Sequence, residues 1–180
     1  MTATATRFLH VPAELLSSVR RALTGDRDPL EAVTLLREVG YEVGGSVYGD
    51  LWAHVSHENG GAHALAVPTD RFWESASGYF ERLGWGRLEH SRPHPGLGAL
   101  DLLDWMEQGS DGGPAGCHIS TGLFTDLLVR LADGAPVVVM EVPGAGGGSR
   151  LLFGSEEALG AVYAAIQAGA TPDEAVARLG

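Results

Sequence analysis

Apolar residues recur at helical spacing as far as Leu83, and beyond Gly84-Trp85-Gly86 the spacing changes to that of strands. Helical repeats bury one stripe and strand repeats bury one face, so the two must be matched against each other in a single core. Before the change the sequence predicts four helices. Val11 to Leu23 carries Leu15, Leu16, Val19 and Leu23 after Pro12. Asp28-Pro29 supplies an N-cap and an N1 proline for a second stripe, Leu30, Val33, Leu36 and Val39, ended by Gly40. Gly44-Gly45 breaks the chain again, and Ser46 to Glu58 reads as a third helix with Val47, Leu51 and Val55. After a loop from Asn59 to Pro68, Thr69 caps a fourth, with Phe72, Trp73, Ala76, Phe80 and Leu83 on one face.

After the change, Arg87 to His90 and Leu97 to Trp105 read as two strands around Pro93, Pro95 and Gly96, the second also fitting a short helix. A glycine-rich loop, Gly109 to Gly116, leads to Cys117 and a helix over Ser120 to Ala132. Val137 to Met140 and Arg150 to Phe153 make a second hairpin around the Gly144 to Gly148 turn. Ser155-Glu156-Glu157 opens a helix to Gln167, and Thr171-Pro172-Asp173-Glu174 starts a last one. The expected class is α+β: N-terminal helices on a small antiparallel sheet of two hairpins with a helix between them, then C-terminal helices. At 180 residues, one domain over residues 11–180 behind a flexible tail, 1–10, accounts for the chain.

The charge balance excludes several functions. Acidic residues outnumber basic ones 23 to 12, a net charge of −11, which disfavours nucleic acid and anionic membrane surfaces. All 12 basic residues are arginine, so a P-loop lysine, a Schiff-base lysine and a lysine general base are absent. One cysteine allows no internal disulfide, and no apolar run reaches the roughly 20 residues of a membrane span. The first seven residues lack the apolar core of a signal peptide. A cytoplasmic location is the expectation.

Candidate chemistry is sparse. The Gly144 to Gly148 run joins two strands and is read as a hairpin connection, not a phosphate loop. His54 and His57 lie three apart on a helix, a spacing that suits two metal ligands, but no HExxH order accompanies them. His90 and His94 flank a proline turn and are expected to face water. Cys117 beside His118 reads as a packing residue more readily than a nucleophile. The aromatics of the middle third, Trp52, Phe72, Trp73, Phe80, Trp85 and Trp105, fit a core or the wall of an apolar pocket equally well.

Leu83-Gly84-Trp85-Gly86, the hairpin ending near Asp104, Cys117-His118-Ile119-Ser120-Thr121-Gly122-Leu123-Phe124 and the hairpin Val137 to Phe153 together resemble the 4-vinyl-reductase-like domain. Its wider superfamily includes TRAPP trafficking subunits and sensor domains of phenol- and toluene-responsive activators. The resemblance implies a homodimeric, non-enzymatic domain that senses or carries a small hydrophobic molecule in a closed apolar cavity, with output through a protein effector. By the same resemblance the pocket is assigned to Phe72, Trp73, Phe80, Leu100, Cys117, Thr121 and Val139, with Thr121 as a hydrogen-bonding handle. The zinc site of the sensor members falls on Cys117, Glu141, Gly144 and Leu151 or Leu152. Two thiolates are missing there, so no zinc and no other cofactor is expected. The competing readings are an adaptor whose interior is filled by side chains and an accessory factor of a tetrapyrrole- or aromatic-processing enzyme.

Overall fold

The structure, a computed structural model, describes residues 13–108 and 116–180. The expected tail over 1–10 and most of the glycine-rich loop Gly109 to Gly116 lie outside the described residues. Six helices and four strands run in the order α1 (Ala13–Thr24), α2 (Pro29–Glu58), α3 (Thr69–Arg82), β1 (Arg87–His94), β2 (Leu97–Leu103), α4 (His118–Leu131), β3 (Val138–Pro143), β4 (Ser149–Gly154), α5 (Glu156–Gln167) and α6 (Pro172–Ala177). A short 3-10 turn, Ala64–Ala66, precedes α3.

The main departure from the sequence reading is α2. Asp28 caps it as expected, accepting from the backbone nitrogens of Leu30 and Glu31. The helix then continues for 30 residues through Gly40 and Gly44-Gly45, where a stop and a break were expected. These glycines are contact points with α4, which crosses α2 closely. A Cβ on Gly40 would land on the Ile119 carbonyl oxygen, and one on Gly122 would land on the Arg37 carbonyl oxygen. At Gly44 the added carbon would lie 2.6 Å from the Asp126 Cβ. Glycine is a weak helix former, but here its missing side chain lets two backbones touch. A smaller departure is the start of α3, where Pro68 occupies the cap position and Thr69 is already helical without a side-chain cap bond.

All strands pair antiparallel in the order β1-β2-β4-β3. The segment from Leu97 that also fitted a helix is thus a central strand, ending at Leu103 before Asp104 turns to positive φ. Alternation along it feeds two cores. Leu100 and Leu102 face α2, α3 and α4, beside Leu151 of β4. Leu97 and Ala99 face the other way, with Leu152, onto Leu159 and Val162 of α5 and Val176 of α6. The sheet is therefore covered on both faces by helices, and the class is α+β, with one antiparallel sheet and helices before, between and after its hairpins. No helix of the described residues is long and apolar enough to cross a membrane.

Candidate functional site

An apolar cleft of about 410 Å³ opens where the 3-10 turn, the start of α3, β1, the end of β4 and the C-terminal part of α4 meet. Phe72 and Trp73 of α3, Leu128 and Leu131 of α4, Val137 and Phe153 supply its apolar lining. Leu65, 63% exposed, stands at its rim. Phe72 and Trp73 meet edge to face at 5.2 Å, an arrangement that fixes both rings. Phe153 can lie flat because its β2 neighbour is Gly98, where any Cβ would strike the ring. Sites of this size and composition are typical of those that take small molecules.

The polar residues of the lining are Thr69 on α3 and His90 with Arg92 on β1. His90 is half-buried and stacks on Trp73 at 5.1 Å and 12°. This corrects the expectation that it faces water; His94 is half-buried as well, its Nδ1 accepting from the Gly96 nitrogen at 3.1 Å. Strand alternation puts His90 on the same face as the buried Leu88, a signal that was available in the sequence. Burial pushes the His90 pKa down against the upward pull of Asp70, and Arg92 adds to the fall. The imidazole is therefore biased to its neutral form.

Of the other sequence-derived pocket residues, Phe80, Leu100, Cys117 and Val139 share a buried core with Phe72 and Trp73 but do not line this cleft, and neither does Thr121. Phe80 is buried in an aromatic cluster, with ring centroids 5.5 Å from Trp105, 5.4 Å from Phe124 and 6.0 Å from Trp85. Leu100 is buried in the same core. Thr121 and Val139 line a separate groove of about 340 Å³ against Arg37 and Tyr41 of α2. The Thr121 hydroxyl donates to the Cys117 carbonyl at 2.8 Å, so its bond stays inside α4. Cys117 is fully buried, its thiol 3.5 Å from the Ser149 oxygen. Burial, reinforced by the nearby charges of Glu141 and Glu107, pushes that thiol up to about 12. It stays protonated near neutral pH, which removes the thiolate a nucleophile needs.

Cys117 begins α4 without capping through its own side chain. Two distant carboxylates serve instead. Glu141 accepts from the Cys117 nitrogen at 2.8 Å and from the Ser149 hydroxyl at 2.7 Å. Glu107, 3% exposed, accepts from the Ile119 and Ser120 nitrogens at 2.9 Å each and from the Ser120 hydroxyl at 2.7 Å. The Trp105 indole donates to the same Ser120 oxygen at 2.7 Å, and the Arg20 guanidinium lies 3.4 Å from the Glu107 carboxylate. Negative charge at a helix N-terminus satisfies both its unbonded N–H groups and its dipole. Glu141 is thus used as a cap where the resemblance put a zinc ligand. On α2, His54 lies 3.2 Å from Glu58 and 2.7 Å from Arg82, in an ion-pair cluster. Among the described residues no three His, Cys, Asp or Glu side chains form a group that could hold a metal.

No family model matches the sequence, and no curated protein matches it either. The structure is similar to the crystal structure of the phenol-responsive sensory domain of the transcription activator PoxR with phenol. The TM-score is 0.61 over 84% of this chain and 78% of that one, at 16% sequence identity. The likeness is one of fold. At that identity it carries no residue-level assignment.

Proposed function

We propose that this chain is a non-enzymatic binding domain that senses or carries a small hydrophobic molecule in the cleft walled by Phe72 and Trp73. The carrying observation is the cleft itself: about 410 Å³, with a mostly apolar lining and a few polar residues, Thr69, His90 and Arg92. The fold supports the reading, since a neighbour with the same architecture is a phenol-responsive sensory domain. A cytoplasmic homodimer acting on a protein effector fits the same picture. Phe80, Leu100, Cys117, Thr121 and Val139 then act as the packed frame that holds α3, α4 and the sheet around the cleft.

The adaptor reading has one observation in its favour. The cluster of Phe80, Trp85, Trp105 and Phe124 fills the interior between the helices and the sheet, leaving the open cleft as the candidate cavity.

Native mass spectrometry of the purified protein, before and after denaturation, tests the proposal. The expected result is a dimer mass with a small-molecule excess that denaturation releases. In Leu128→Trp, which fills the cleft, the excess should disappear while the far-ultraviolet circular dichroism is kept. An excess that persists in that variant would move the ligand elsewhere. A clean mass for the wild-type protein, with no stabilisation by added small aromatics, would favour the adaptor.

A further inference from the structure

The charge around the cleft does not follow the charge of the molecule. In a chain of net charge −11, the cleft's lining contains no carboxylate, and its one charged residue is Arg92. The adjoining groove, which shares Trp73 and His90 with the cleft, has the opposite character: Asp70, Glu74, Glu81 and Glu89 line it. The Trp73–His90 stack is therefore a wall between an acidic groove and a cleft with a single cation.

The position of Arg92 has a backbone cause. The β1–β2 register slips between Ser91 and His94, so Arg92 sits in a bulge of an edge strand. It follows Leu88 and His90 by four and two residues and is itself exposed, so its side chain joins the cleft's lining from the solvent side. Bulges re-aim side chains at sheet edges, and they recur beside binding sites. The guanidinium gives one bond to the Pro95 carbonyl at 2.6 Å, a contact within its own turn that pins the side chain and leaves other N–H donors of the fork.

We infer that the cleft takes a small carboxylate with an apolar body, its anion on Arg92 and its hydrocarbon part between Trp73, Phe72, Leu128 and Phe153. This rests on the proposal that the cleft is the binding site, and it adds the ligand class. A planar guanidinium pairs with a carboxylate through two parallel hydrogen bonds, and such a pair gains strength beside apolar walls. A neutral ligand would leave that donor set unused, and a cation would be repelled by Arg92. His90, held against Trp73, is placed to add a further hydrogen bond.

The test compares benzoate with its uncharged counterpart benzyl alcohol by isothermal titration calorimetry on the full chain. Benzoate is expected to bind about tenfold more tightly or better. Arg92→Gln should bring benzoate close to the level of benzyl alcohol, and Arg92→Lys should keep part of the preference. Equal affinities, untouched by Arg92→Gln, would overturn the carboxylate assignment and leave the cleft as a neutral site. No binding of either compound, in a protein that is folded by circular dichroism, would overturn the assignment together with the cleft reading.

Discussion

A carboxylate only 3% exposed is tolerated where its oxygens are filled, and Glu107 fills them with two backbone N–H groups, one hydroxyl and the Arg20 guanidinium. Through these bonds one side chain ties α1, the segment after β2 and the start of α4 together. Glu107→Gln replaces an acceptor oxygen by a donor amide facing N–H groups and removes the charge opposite Arg20. The expected loss is about 3 kcal/mol in unfolding free energy, read from urea denaturation. Adding Arg20→Met should recover part of it, because the two groups are coupled. A double variant whose loss equals the sum of the singles would show that the pair is not coupled. No local pattern points to this residue: Glu107 lies 12 and 13 positions from the nitrogens it caps, across a loop rather than along a helix. Trp73 and Phe72 were legible because helical period placed them on an inward face. His90 was legible in principle, from its spacing to Leu88 on a segment that reads as a strand.

Helix α2 shows where element-level reading succeeds and where it stops. Its N-cap at Asp28 and its apolar stripe were visible locally, as were both hairpins and the order of the elements after it. Its continuity was not, because glycine in a lone sequence reads as a breaker and the partner that needs it lies some 80 residues on, in α4. The two roles of glycine separate by substitution. At Gly40 and Gly122 an added Cβ meets a backbone carbonyl that cannot move without parting the helices. Gly40→Ala and Gly122→Ala should each destabilise by about 3 kcal/mol or abolish folding, as overpacking against rigid backbone does. Gly49 lies on the same helix, exposed, with nothing near its would-be Cβ. Gly49→Ala should instead stabilise by up to about 1 kcal/mol, the ordinary helix-propensity gain. Thermal melts of the three variants decide it. A destabilised Gly49→Ala would mean that this face of α2 is occupied in solution.

The whole molecule is two cores built on shared strands. Central strands β2 and β4 send alternate residues to opposite faces, so Leu100 and Leu151 enter the larger core while Ala99 and Leu152, their neighbours in sequence, enter the smaller. Neither core can dissolve without withdrawing strands from the other. The four tryptophans make this coupling measurable, because Trp52, Trp73, Trp85 and Trp105 all belong to the larger core or pack against it. Leu159, 2% exposed on α5, belongs to the smaller core, which contains no tryptophan. Leu159→Ala should remove about 2–4 kcal/mol by leaving a cavity there. If the layers unfold as one, tryptophan fluorescence and far-ultraviolet circular dichroism will report the same lowered urea midpoint. A fluorescence midpoint that stays at the wild-type value while the circular dichroism midpoint falls would separate the α5–α6 layer as an independent unit. Coincident curves would instead mean that the sheet transmits the loss from α5 and α6 to the wall of the cleft. A change in the C-terminal helices would then act on Phe153 through β4, and through Phe153 on the Trp73 ring packed against it, without touching either.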